Sequence, residues 1–242
     1  MSHRECARAT VKVTLTDPDG KVFKVIEGEV PDPFNVTLID VFLQNMYGPQ
    51  TSTDLQDPLG NWYSFDFVTP SPSTSLGYLL LSFCLTNCPN AGITPPNGPG
   101  MWLFNSLPPA GATEFTNSAW TTYFVAYVGS PYLITGLSYS PLSINSGSST
   151  PVNPGDVVVE YFYFTQSITN TLSSPVDIYT MMFVGVFYGT RSASPIYAPI
   201  TFYIFSPPIV LSPGVTMTVT VTLGYPYGIA ISSSSESGGI VV

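Results

Sequence analysis

Hydrophobic and polar residues alternate with a period of two along much of the chain, the pattern of strands with one buried face. The clearest run follows Ser212-Pro213-Gly214, where Val215, Met217, Val219, Val221 and Leu223 interleave with Thr216, Thr218, Thr220 and Thr222. One face of this strand is core, and its threonine face is exposed or meets a neighbour. Val11, Val13 and Leu15 alternate in the same way, and an apolar run resumes at Val22 after Asp17-Pro18-Asp19-Gly20. That turn chemistry predicts a β-hairpin over residues 11–26. Further strands are expected at 62–68, 78–85, 101–104, 120–127, 132–138, 157–164, 178–187 and 200–205, divided by Pro, Gly, Asn and Ser clusters. In the 157–164 run only Glu160 interrupts the apolar residues, which predicts burial on both faces.

One segment changes period. Leu38, Ile39, Phe42, Leu43 and Met46 fall at helical spacing, with Asn35 or Thr37 as cap and Gly48-Pro49 as stop. Residues 140–155 read as a Ser/Pro/Asn loop, and 232–239 as a flexible linker before the apolar tip Ile240, Val241 and Val242. The expected fold is all-β, an antiparallel two-sheet sandwich, jelly-roll-like or immunoglobulin-like, with one short N-terminal helix. Its expected divisions are a basic hairpin and linker at 1–34, the sandwich with its helix at 35–231, and a Ser/Gly tail at 232–242.

Composition adds a reason to expect assembly. Of 242 residues, 44% are hydrophobic and 14% aromatic, but only 9% are charged, against roughly a quarter in ordinary globular chains. A surface so short of charge suits burial against neighbouring subunits. The net charge of −9 argues against a nucleic-acid partner. Cations are polarised along the chain: Arg4, Arg8, Lys12, Lys21 and Lys24 lie near the start, and Arg191 is the only later one. These five, with Ile240, Val241 and Val242, are the candidate assembly contacts. Charged residues interrupt the first thirty positions, so no signal peptide is expected, and prolines break the uncharged stretch after Arg191 too often for a membrane-spanning helix.

Candidate chemistry is sparse. His3 is the sole histidine, so a Ser-His-Asp or Cys-His arrangement lacks a held base, and scattered carboxylates form no distinctive motif; no enzyme, cofactor or metal site is expected. Asp17-x-Asp19-Gly20 reads as a hairpin turn, not a calcium loop. Cys84 and Cys88 flank a short turn and are either a local disulfide or two free thiols. Trp62, Trp102 and Trp120 would stack on sugar rings if exposed, but their strand-like settings favour the core.

Two stretches carry a resemblance. Near the start are the Lys-bearing hairpin, Asn35 and the helix pattern ending at Gly48; near the end are Phe183-Val184-Gly185-Val186-Phe187, the Phe-rich strand from Phe202, Pro213-Gly214-Val215 and the alternating Val/Thr strand. Together they resemble a diffuse group of phage and archaeal-virus structural proteins, the tail, fibre, spike and vertex components. Phe183 and Val215 depart from that pattern, which favours acids there. The resemblance implies a virion structural protein of the capsid, spike or tail, assembled in the host cytoplasm, with copies of itself, other virion proteins and a host surface receptor as partners. A cellular surface adhesin or filament subunit, and a carbohydrate-binding module, are the competing expectations.

Overall fold

A computed structural model of the chain describes residues 8–30, 53–56, 62–65, 100–107, 132–148, 157–187, 196–230 and 240–241. The described residues are all-β and form two principal antiparallel sheets. The expected helix at 38–46 lies outside them, as do the strands expected at 78–85 and 120–127.

The hairpin forms as its alternation dictates. Strands β1 (Arg8–Thr16) and β2 (Val22–Glu29) pair through the turn, where the Asp17 carboxylate accepts the N–H groups of Asp19 (3.1 Å) and Lys21 (2.8 Å). Those bonds give the Asp-Pro-Asp-Gly segment its shape. The long alternating strand β11 (Thr216–Ala230) lies between β1 and β8 (Val157–Thr169), with Val13 opposite Val219 and Val221 opposite Phe164. The far edge of β8 carries β6 (Ser138–Tyr139) and β7 (Ser143–Ser148), and β12 (Ile240–Val241) pairs with the end of β11, giving seven strands. A second sheet has the order β10-β9-β5, from β5 (Gly100–Phe104), β9 (Val176–Phe187) and β10 (Ile196–Leu211). Strands β3 (Thr53–Gln56) and β4 (Trp62–Phe65) form a separate pair.

The main core is sealed between the two larger sheets. Val11, Val13, Phe162, Phe164, Val219 and Val221 of the seven-stranded sheet pack with Met101, Leu103, Met181 and Phe183 of the three-stranded one. The Phe164 and Phe183 rings meet across the sandwich at 4.6 Å between centroids. Trp102, Phe104, Met182 and Val184 alternate with those residues on β5 and β9 and are buried in a second cluster, so the small sheet is covered on both faces. Trp102, a candidate sugar platform by residue type, is core.

Three local expectations are corrected. Residues 132–137 form no continuous strand: Gly136 has a left-handed φ of 81°, and only Leu133 bridges to Phe104. Residues 143–148, expected as loop, form β7, because pairing with β8 and the half-buried Ile144 override a weak strand composition. Strand β8 is not buried on both faces; Phe162 and Phe164 point inward while Tyr163 is exposed.

Candidate functional site

The outer face of the seven-stranded sheet is a field of hydroxyls. Register aligns Thr14, Thr218 and Ser167 in one row, and Thr16, Thr216 and Thr169 in the next. Across β8 and β11, hydroxyl pairs share hydrogen bonds at Thr165–Thr220 (3.0 Å), Ser167–Thr218 (2.9 Å) and Thr169–Thr216 (2.8 Å). Such pairs satisfy one another and leave a neutral, low-relief surface with methyl groups between the oxygens. Tyr161 and Tyr163 stack at one end, their centroids 6.4 Å apart. The only ion pair among the described residues, Lys12 with Glu27 at 2.7 Å, spans β1 and β2 on this face.

That face ends at β2, whose far edge has no strand partner among the described residues. Val30 donates its N–H to Ala9 on β1, so alternation turns the N–H and C=O groups of Val25, Glu27 and Glu29 away from β1. Val22, Phe23 and Val25 are each more than half exposed on this strand. An open edge bearing large apolar side chains is a template for pairing with another strand.

Two buried amides organise the opposite side. Gln166 accepts a hydrogen bond from the Met101 N–H (2.8 Å) and donates to the Ser140 carbonyl (2.9 Å), joining β8 to β5 through the core. A Cβ on residue 100 would collide with that amide, and the φ of 134° there also requires glycine. Asn170 holds the β8–β9 turn: its side chain donates to the carbonyls of Ser174 and Leu211 and accepts from the Leu172 N–H, while its backbone bonds to Gly214 and Val215.

Beside this turn lies an open cleft of about 460 Å³ lined by Asn105, Leu133, Thr135, Leu172, Asp177 and Tyr179, together with Ile134, Pro175 and Val176. Its walls are fixed by Asn105 N–H to Tyr132 (2.9 Å), Ile134 N–H to Leu103 (2.8 Å) and the Thr180 hydroxyl to Ser106 (3.0 Å). On β6, burial pushes the Tyr139 phenol well above its ordinary value and keeps it neutral.

Among the described residues the lysines are not gathered into one patch. Lys12 is engaged by Glu27, Lys21 closes the hairpin turn, and Lys24 stands opposite Leu15, on the other side of β2 from Glu27. Arg8 begins β1, and Ile240 and Val241 form β12 against Ile229 and Ala230. Arg4, Val242, Cys84 and Cys88 lie outside the described residues. The cleft was not legible in advance, because Asn105, Thr135 and Asp177 come from three separate segments and share no motif spacing. Among the described residues no group of three or more His, Cys, Asp or Glu side chains could hold a metal ion, and no helix is long and apolar enough to cross a membrane. Comparison of the chain with protein-family models, curated proteins and solved structures finds no match.

Proposed function

We propose that this chain is a virion structural protein, a component of a capsid vertex, spike or tail that works through subunit–subunit assembly. The observation that carries the reading is the β2 edge, where backbone groups open to pairing coincide with exposed Val22, Phe23 and Val25. Its charges favour a second copy as partner: Lys21 stands just before the strand and Glu29 at its end, so an antiparallel copy lays the basic end of one strand beside the acidic end of the other. The scarcity of charge over the whole chain and the resemblance of its two ends to virus structural proteins support a particle as the setting of that assembly.

Sedimentation velocity on the purified protein tests the edge, with mass spectrometry of native particles testing the location. The expected result is concentration-dependent association that Val25→Lys abolishes while the far-ultraviolet circular dichroism stays the same, since an edge lysine blocks strand pairing. A wild-type protein that stays monomeric at high concentration and is missing from particles would sink the reading.

One observation favours the alternative of a cellular filament subunit. Strand β12 is only two residues long and pairs with β11 after the Ser/Gly-rich stretch 232–239. A short strand on such a tether is suited to donation into a neighbour's sheet. Loss of self-association on deleting 232–242, with no effect of Val25→Lys, would select this reading.

A further inference from the structure

We propose that the cleft beside the β8–β9 turn binds a neutral hexopyranose ring, with Asp177 and Asn105 taking its hydroxyls and Tyr179 meeting its C–H face. This goes beyond the assembly reading and does not depend on it. The cleft, at about 460 Å³, lies within the roughly 300–1,000 Å³ of small-molecule sites. Its walls are preformed: the Asn170 bonds hold the turn that carries Leu172, and the bonds from Asn105 and Ile134 hold the segment that carries Leu133 and Thr135.

The chemistry selects the ligand. Asp177, Asn105 and Thr135 are exposed, Tyr179 is half-buried, and none of these side chains has a hydrogen-bond partner among the described residues. A carboxylate that accepts, an amide that both accepts and donates, and the Thr135 hydroxyl therefore surround one space, beside the Tyr179 ring and the half-buried apolar side chains of Leu133 and Leu172. A pyranose carries a fan of hydroxyls around an apolar C–H face, so it uses both sets of groups at once. An amine would gain one exposed ion pair with Asp177, worth little in water, and would leave the amide and the apolar wall unused. A phosphate or carboxylate ligand would meet Asp177 with no cation among the lining residues.

Saturation-transfer NMR and calorimetry with methyl α-D-mannopyranoside, methyl α-D-glucopyranoside and methyl β-D-galactopyranoside test the proposal on the full chain. At least one should bind saturably with a dissociation constant on the order of 1 mM. Asp177→Asn should weaken that binding about tenfold through loss of a charge-assisted bond, Tyr179→Phe should keep it, and Tyr179→Leu should remove it. Asp177 is exposed, so its variant tests binding without threatening the fold. Absence of saturable binding by all three glycosides, displacement by methylamine or equally well by glycerol, or binding untouched by both Asp177→Asn and Tyr179→Leu would each overturn it.

Discussion

The two faces of the seven-stranded sheet are built from the same strands and use nearly the same backbone, yet they solve opposite problems. Inward, Val13, Phe164, Val219 and Val221 are almost fully buried and pack against the second sheet. Outward, the intervening positions are Thr14, Thr165, Ser167, Thr218 and Thr220, all half-exposed, with Thr165–Thr220 and Ser167–Thr218 joined as hydrogen-bonded pairs. The contrast teaches where stability and function separate on this fold. Burial of apolar area is the dominant favourable term in folding, so the inner face should carry the stability. Cross-strand pairs on an exposed face contribute only about 0.2–1 kcal/mol each, which leaves the outer face free to be shaped by what it meets.

The strongest way to break the contrast is Phe164→Ala. Its ring fills the space between sheets against Phe183, with 2% of its surface exposed, and truncation of such a ring costs about 3–5 kcal/mol. In a domain of this size each kcal/mol moves the melting temperature by roughly 2–4 °C. Calorimetry should therefore show a drop of about 6–20 °C. A fall of only a degree or two would mean that the sandwich interface is not the principal core.

How legible this was depended on how local the signal is. The alternation of Val215 to Leu223 displays the inner and outer faces of β11 directly, and the Asp17–Gly20 turn announces the hairpin. In β8, by contrast, the aromatic residues hide the alternation: Tyr161 and Tyr163 look as apolar as Phe162 and Phe164, although their hydroxyl ends let them face water. Strand β10 runs through Pro199, Pro207 and Pro208 with register shifts at Pro199/Thr201 and Ile204/Ile209, so prolines that mark breaks in sequence are absorbed here as irregularities within one strand. The cleft and the two amide joints depend on segments far apart in sequence, and no periodicity reports them.

Gln166 sharpens the contrast from inside, since it is a polar residue on the apolar face between Phe164 and Ile168. It is 1% exposed and both ends of its amide are bonded. Gln166→Leu keeps much of the volume but leaves the Met101 N–H and the Ser140 carbonyl without their partner, at about 1–3 kcal/mol for each group that stays buried. The expected loss is about 2 kcal/mol, read by urea unfolding with an unchanged slope. A neutral or stabilising effect would show that this amide joint is dispensable and that β5 is held by its ladder to β9 and by packing.

The smallest effect belongs to the outer face. Thr218→Val keeps the branched shape that strands favour and deletes one hydroxyl of the Thr218–Ser167 pair at 2.9 Å. Because the Ser167 hydroxyl can turn to water once freed, the cost of an unsatisfied buried group does not arise, and the change should stay within about 0.5 kcal/mol. The same chemistry at Thr201, whose hydroxyl is buried without a hydrogen-bond partner, should go the other way, because Thr201→Val removes a stranded polar atom and should stabilise by about 1 kcal/mol. Measured side by side by urea unfolding, the two substitutions isolate environment from residue type. Equal effects at both positions would mean that the hydroxyl field is as dry as the core, as it would be if another subunit covered it in solution.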